Sequence, residues 1–156
     1  MPVARTLVCV ILFATCTVAV GGDRSLNIAL QTKGMSTYYV PVDIAGWGLV
    51  DMLVDTGSSY STISQSALDR LLTQGRAVYL RDLTGILADG SNLTVPVYRI
   101  DAVRIGDECW FNDVEAAVLP GSSRYILGLS VLRKASRLQI GFDPPMLTFH
   151  ECETLG

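Results

Sequence analysis

The sequence predicts an all-β domain interrupted by one or two short helices, on three observations. Val, Ile, Tyr and Thr concentrate in runs at residues 37–44, 48–54, 77–88, 93–105 and 110–119, each punctuated by Gly, Pro, Asp or Asn. Helical spacing of apolar residues is confined to two brief segments. A chain of 156 residues with 49% hydrophobic and 17% charged residues suits a single globular core.

Taken in order, the chain opens on Arg5, an apolar run at 7–20, and then Gly21, Gly22, Asp23 and Arg24. A basic start, an apolar stretch and small residues at its exit are the pattern of a secretory signal, so residues 1–22 are expected to be removed and 23–156 to form the domain. The product is then exported, periplasmic or secreted. Two alternatives are an uncleaved membrane anchor, although a spanning helix wants about 20 apolar residues, and a lipoprotein through Cys16, although Thr15 is an unusual residue before such a cysteine.

Segment 37–44 alternates, Tyr39-Val40-Pro41-Val42-Asp43-Ile44, as a half-buried strand should. Segment 48–54 is apolar at nearly every residue and is expected to be buried on both faces. A helix is expected over 64–72, with serine caps, leucines at helical spacing and a stop at Gly75; a second is expected over 129–135, ending in Arg133 and Lys134. Two strands, 137–142 and 146–150, close the chain around Asp143-Pro144-Pro145, whose prolines force a turn. Asn92-Leu93-Thr94 matches a glycosylation sequon.

Charge and composition exclude several function classes. The net charge is −3, and the twelve basic residues are scattered, so there is no footprint for nucleic acid. His150 is the one histidine and is expected at an exposed strand end, which leaves zinc chemistry and histidine-dependent hydrolysis without their usual groups; no metal and no cofactor are implied. With Cys9 and Cys16 in the signal, Cys109 and Cys152 remain in the domain, either as one disulfide or as two unpaired thiols.

The informative stretch is Leu53-Val54-Asp55-Thr56-Gly57-Ser58-Ser59, where an aliphatic strand runs into Asp-Thr-Gly and β-prone residues follow. The tripeptide alone is weak, because Asp and Gly are ordinary turn formers. Aliphatic runs pinning it on both sides are not needed by a plain exposed turn.

Here the sequence resembles the aspartic proteases, and within them the single-lobed, retropepsin-like branch, over about residues 37–149. Besides the aspartate turn, the resemblance rests on a hairpin signal at Leu87-Ala88-Asp89-Gly90-Ser91 between two long strand-type runs, and on Tyr125-Ile126-Leu127-Gly128 leading into a short helix. It implies a closed single-lobe retropepsin-like barrel. It also implies Asp55 as general acid/base, Thr56 bridging two turns by its hydroxyl, Gly57 giving close backbone approach, and Ser58 hydrogen-bonding the outer carboxylate oxygen. Ile126, Leu127 and Gly128 become support behind the turn, and Ala88, Asp89, Gly90 and Ser91 a flap over an extended peptide or protein substrate.

Peptide hydrolysis without metal or covalent nucleophile needs two carboxylates that share a proton, one taking a proton from water and the other donating to the carbonyl oxygen. The chain has one Asp-Thr-Gly and too little length for two lobes. The second aspartate is therefore expected from a second copy, in a homodimer that meets on a two-fold axis. The terminal strand 146–150 is a candidate to interlock that dimer, unless Cys152 pins it to Cys109. Two rival readings are a catalytically silent peptide-binding domain of the same fold and an exported β-sandwich scaffold in which Asp-Thr-Gly is only a loop.

Overall fold

A computed structural model describes residues 25–34, 36–86, 90–119, 121 and 124–152, of Ile86 the backbone alone. The alternation read at 37–44 is that of strand β3 (Thr37–Ile44), whose Val40, Val42 and Ile44 are buried while Tyr39, Pro41 and Asp43 between them are half-buried. Ahead of it lie β1 (Ser25–Ala29) and β2 (Gln31–Lys33), two short strands rich in polar residues that the β-propensity reading passed over. They are followed by β4 (Gly48–Val54), β5 (Ser61–Ile63), helix α1 (Gln65–Thr73), β6 (Ala77–Ile86), β7 (Asn92–Ile105), β8 (Cys109–Val118), β9 (Ile126–Leu127), helix α2 (Leu129–Leu132), β10 (Arg137–Phe142) and β11 (Pro145–His150).

The larger sheet runs β2-β3-β4-β9-β5-β8-β7-β6, and an additional antiparallel pairing of β3 with β7 joins Val42 to Ile105 and Ile44 to Val103. That pairing closes β3, β4, β9, β5, β8 and β7 into a ring, with β2 and β6 as flanking strands. Closure removes most of the open edges that would otherwise template association. Inside the ring sit Val40, Val42, Met52, Ile100, Ile105 and Leu127, each no more than 2% exposed.

Burial on both faces, expected for 48–54, is not what β4 does: Met52 is buried, but Leu49 is 72% exposed and Asp51 faces solvent, where Lys33 holds it at 2.6 Å. In a small ring only the inward face of a strand meets the core, so composition overstated the burial here. Helix α1 begins where expected, with the Ser64 hydroxyl accepting the Ala67 N–H at 3.2 Å as N-cap. Helix α2 stops at Leu132, short of the expected 135, with Arg133 as its C-cap.

A second sheet, β1-β11-β10, packs against the barrel through Leu147, Phe149 and Ile28, with the Phe149 ring 5.2 Å from that of Phe111. Strand β11 is its middle member, bonded to β1 on one side and β10 on the other. The terminal strand therefore has both edges filled by its own chain and does not offer them to a partner. Pro145 opens β11 opposite Phe142, one residue earlier than expected, and proline is tolerated at the first residue of a strand. His150, at the far end of β11, is half-buried and not exposed as expected, and its carbonyl accepts both the N–H and the hydroxyl of Ser136.

Just beyond β11, Cys152 forms a disulfide with the buried Cys109 at the start of β8, across a sequence separation of 43. A loop of that size restricts the unfolded chain enough to contribute about 2–4 kcal/mol. Replacing both cysteines by alanine is expected to lower the unfolding free energy in urea by about that amount, and reductant is expected to lower the parent's midpoint but not the variant's. A midpoint indifferent to reductant would contradict the cross-link.

Candidate active site

Asp55 lies one residue beyond β4, and the sheet topology explains how it is held. Strand β9 runs parallel to β4, with Leu53 opposite Ile126 and Val54 opposite Leu127, and it meets β5 on its other side at Thr62. It thus separates the strand that enters the Asp-Thr-Gly turn from the strand that leaves it. The Leu53 N–H donates to the Tyr125 carbonyl at 2.9 Å and the Asp55 N–H to the Leu127 carbonyl at 3.1 Å. On the exit side the Leu129 N–H donates to the Ser58 carbonyl at 2.8 Å. The turn is clamped by backbone on both flanks, and such bonds do not depend on side-chain rotamers.

Gly128 sits where the clamp is tightest. A side-chain carbon there would collide with the Tyr60 carbonyl and come within 2.8 Å of the Ser58 carbonyl, both backbone groups that have little room to yield. Leu127 is wholly buried, and Ile126, half-buried, turns toward the groove described below.

Within the turn the Gly57 N–H donates to Asp55 Oδ1 at 2.9 Å, and the Ser58 N–H to the Asp55 carbonyl at 3.3 Å. A Cβ on Gly57 would lie 3.2 Å from Asp55 Oδ1, so glycine here serves close approach. Asp55 is half-buried, whereas Thr56 and Gly57 at the tip are exposed. The Ser58 hydroxyl does not reach the carboxylate as expected. It donates to the Tyr60 carbonyl at 2.7 Å, so that it braces the turn from below.

Two buried serines that sequence reading missed complete the support. The Ser61 hydroxyl accepts the Gly128 N–H at 3.1 Å and the Ser130 hydroxyl proton at 3.0 Å, while Ser130 Oγ accepts the Ser61 N–H at 2.8 Å. Ser61 is 2% exposed and Ser130 6%, so each replaces water that the backbone would otherwise need. Their positions in the chain, 69 residues apart, gave no signal of the pairing. Nearby, the Tyr125 and Ser64 hydroxyls meet at 2.8 Å, which ties the segment before β9 to the cap of α1.

Beside the turn lies a groove of about 360 Å³ between Ser58–Tyr60, the β6–β7 hairpin and the barrel wall, with Leu83, Leu93, Val95, Leu119 and Ile126 as its apolar surface. A hairpin forms where the sequence signalled one: β6 and β7 pair in antiparallel register from Ala77 with Ile100 to Ile86 with Asn92. Of the four residues expected to form a flap, Ala88 and Asp89 lie outside the described residues. Gly90 has φ +83°, a conformation that favours glycine, and Ser91 leads into β7. No group of three or more His, Cys, Asp or Glu side chains among the described residues is placed to hold a metal ion.

The aspartyl protease family profile matches residues 40–131, more than half of the chain and inclusive of the aspartate turn, both buried serines and β9. The chain belongs to the aspartyl protease family. A crystal structure of a retropepsin-like aspartic protease from Rickettsia conorii superposes with a TM-score of 0.59 at 22% sequence identity, covering 83% of this chain and 94% of that one. The fold is therefore the single-lobe, retropepsin-like barrel. No curated protein matches the sequence.

Removing the Ser130 hydroxyl strands the Ser61 N–H in a buried site. Ser130→Ala is expected to cost about 1–3 kcal/mol of stability by denaturant titration, and Gly128→Ala is expected to cost more, because backbone must move. Two variants indistinguishable from the parent would refute the support role.

Proposed function

We propose that this chain is an aspartic endopeptidase whose active site forms between two copies, each contributing one Asp55. The observation that carries the reading is the clamped turn itself: an intact Asp-Thr-Gly with a half-buried carboxylate, beside an apolar groove and below a β-hairpin. A carboxylate merely decorating a loop would not need β9 inserted between its two strands.

In the proposed dimer the two Asp55 carboxyls share one proton and hold a water between them. The ionised member takes a proton from that water as its oxygen attacks the scissile carbonyl carbon. The protonated member donates to the carbonyl oxygen, giving a tetrahedral diol. Proton return to the amide nitrogen then breaks the C–N bond. Gly57 contributes by donating its N–H to Asp55 Oδ1, which orients the carboxylate in the single chain before any partner arrives. The exposure of Thr56 and Gly57 supports a meeting of the two turns at their tips. Because β11 is enclosed by β1 and β10, association in this reading rests on the turns and neighbouring surfaces, not on an interlocked terminal strand.

An extended peptide fits the groove chemically, with apolar side chains against Leu83, Val95 and Ile126 and backbone facing the hairpin. Export completes the reading: the apolar leader at 7–20 and the Cys109–Cys152 disulfide both suit an oxidising compartment.

Asp55→Asn is expected to abolish cleavage of a peptide library while leaving the circular dichroism spectrum unchanged; retained cleavage would overturn the mechanism. Specific activity is expected to fall on dilution as the pair dissociates. The rate is also expected to decline as pH rises above neutrality, because a dyad stripped of its shared proton has no acid left to donate. A rate still climbing at pH 9 would contradict the shared proton.

A further inference from the structure

Next to the groove beside Asp55, on the far side of Tyr60, Leu83 and Ala117, stands a charged cluster that the reaction does not use; its Glu115 also lines the neighbouring cavity with Asp113, Ser130, Arg133 and Lys134. On β6, Arg81 stands opposite Val97 and Leu83 opposite Val95, and on β8 Ala117 stands opposite Val97. Strand alternation places Arg81, Leu83, Val95, Val97, Ala117 and Glu115 on one face, the face that forms the groove wall. Arg81 and Glu115 are each two residues beyond a groove-lining residue, Leu83 and Ala117, in the same direction across the sheet. Tyr60 lines the groove itself and connects the cluster to the aspartate turn through the Ser58 hydroxyl.

The contacts within the cluster are specific. Arg81 donates from one Nη2 to Glu115 Oε2 at 2.5 Å and to the Tyr60 hydroxyl at 3.0 Å, and its guanidinium carbon lies 5.6 Å from the centre of the Tyr60 ring. The hydrogen bonds that it donates, to Glu115 first and Tyr60 second, hold the guanidinium above its already high range. Arg99 stands opposite Glu115 in the ladder, but its Nε pairs with Asp113 at 3.5 Å, so the near partner of Glu115 is Arg81. A bulge between Tyr79 and Arg81 breaks the β6–β7 register just ahead of Arg81.

We propose that the Arg81–Glu115 pair, seated on Tyr60, is a specificity-determining end wall of the groove, which keeps that end electrically neutral and so selects apolar over charged substrate side chains. The inference rests on the endopeptidase reading. Each charge cancels the other at the place where a long side chain from a bound peptide would arrive. Loss of either member leaves its partner as an exposed ion facing that end, and the two losses have opposite signs.

The test uses the full-length protein and a peptide library randomised one position at a time, with kcat and KM measured for the best substrates. Arg81→Gln is expected to raise kcat/KM for Lys relative to Leu roughly tenfold at one substrate position, and Glu115→Gln to do the same for Glu relative to Leu there, mainly through KM. The exchange Arg81→Glu with Glu115→Arg is expected to restore the parental apolar preference, and also guards against either single variant failing to fold. If the parent cleaves in an Asp55-dependent way but both single variants keep the parental ranking, or shift it in the same direction, the end-wall proposal fails alone. If the parent cleaves nothing, the endopeptidase reading fails and takes this proposal with it.

Discussion

The constraint on which the rest of the molecule depends is the insertion of a two-residue strand, β9, between the strand that enters the aspartate turn and the strand that leaves it. A turn that presents a carboxylate must hold its geometry without rigid side chains close by. Here the carbonyls of Tyr125 and Leu127 fix one flank and the Ser58 carbonyl fixes the other, all through backbone donors. The cost is a crowded junction. It is met by Gly128, which has no side chain to collide, and by the Ser61–Ser130 pair, which satisfies the Gly128 N–H between β9 and α2 and the Ser61 N–H at the start of β5.

Closing the sheet through β3 and β7 gives this clamp a stiff base, because the ring buries one face of every strand around a common core. The β6–β7 hairpin extends from that ring over the groove, and its apolar underside forms a small cluster of its own around Val95, Val97 and Ala117. Fold and site are thus coupled: Ile126 pairs with β4 and β5 through its backbone while its side chain lines the groove. A change in the groove wall is one residue away from the bonds that fix Asp55.

Much of this was legible in the residues, and the failures have physical causes. Strand β3, helix α1 and the paired prolines at the last turn were readable because alternation, serine capping and proline geometry are local effects. The aspartate turn and Ile126-Leu127-Gly128 were readable because the motif and its order along the chain survive without coordinates. Strands β1 and β2 were missed because Asn27, Gln31 and Lys33 carry little β-propensity; β1 forms because β11 offers it a register. The exposure of Leu49 was missed because composition does not say which face of a strand meets the ring. Ser61, Ser130 and Arg81 were invisible for a different reason: each acts through a partner far along the chain, and a serine or an arginine in a strand looks like any other.

The claim that two chains supply one site is tested most directly by mixing. If each site needs both carboxylates, adding about a tenfold excess of Asp55→Asn protein to the parent, with time to exchange, draws parental chains into inactive mixed pairs and cuts total activity to about a tenth. Activity unchanged by that excess, under conditions where labelled chains are seen to exchange, would mean that one chain works alone and would contradict the account.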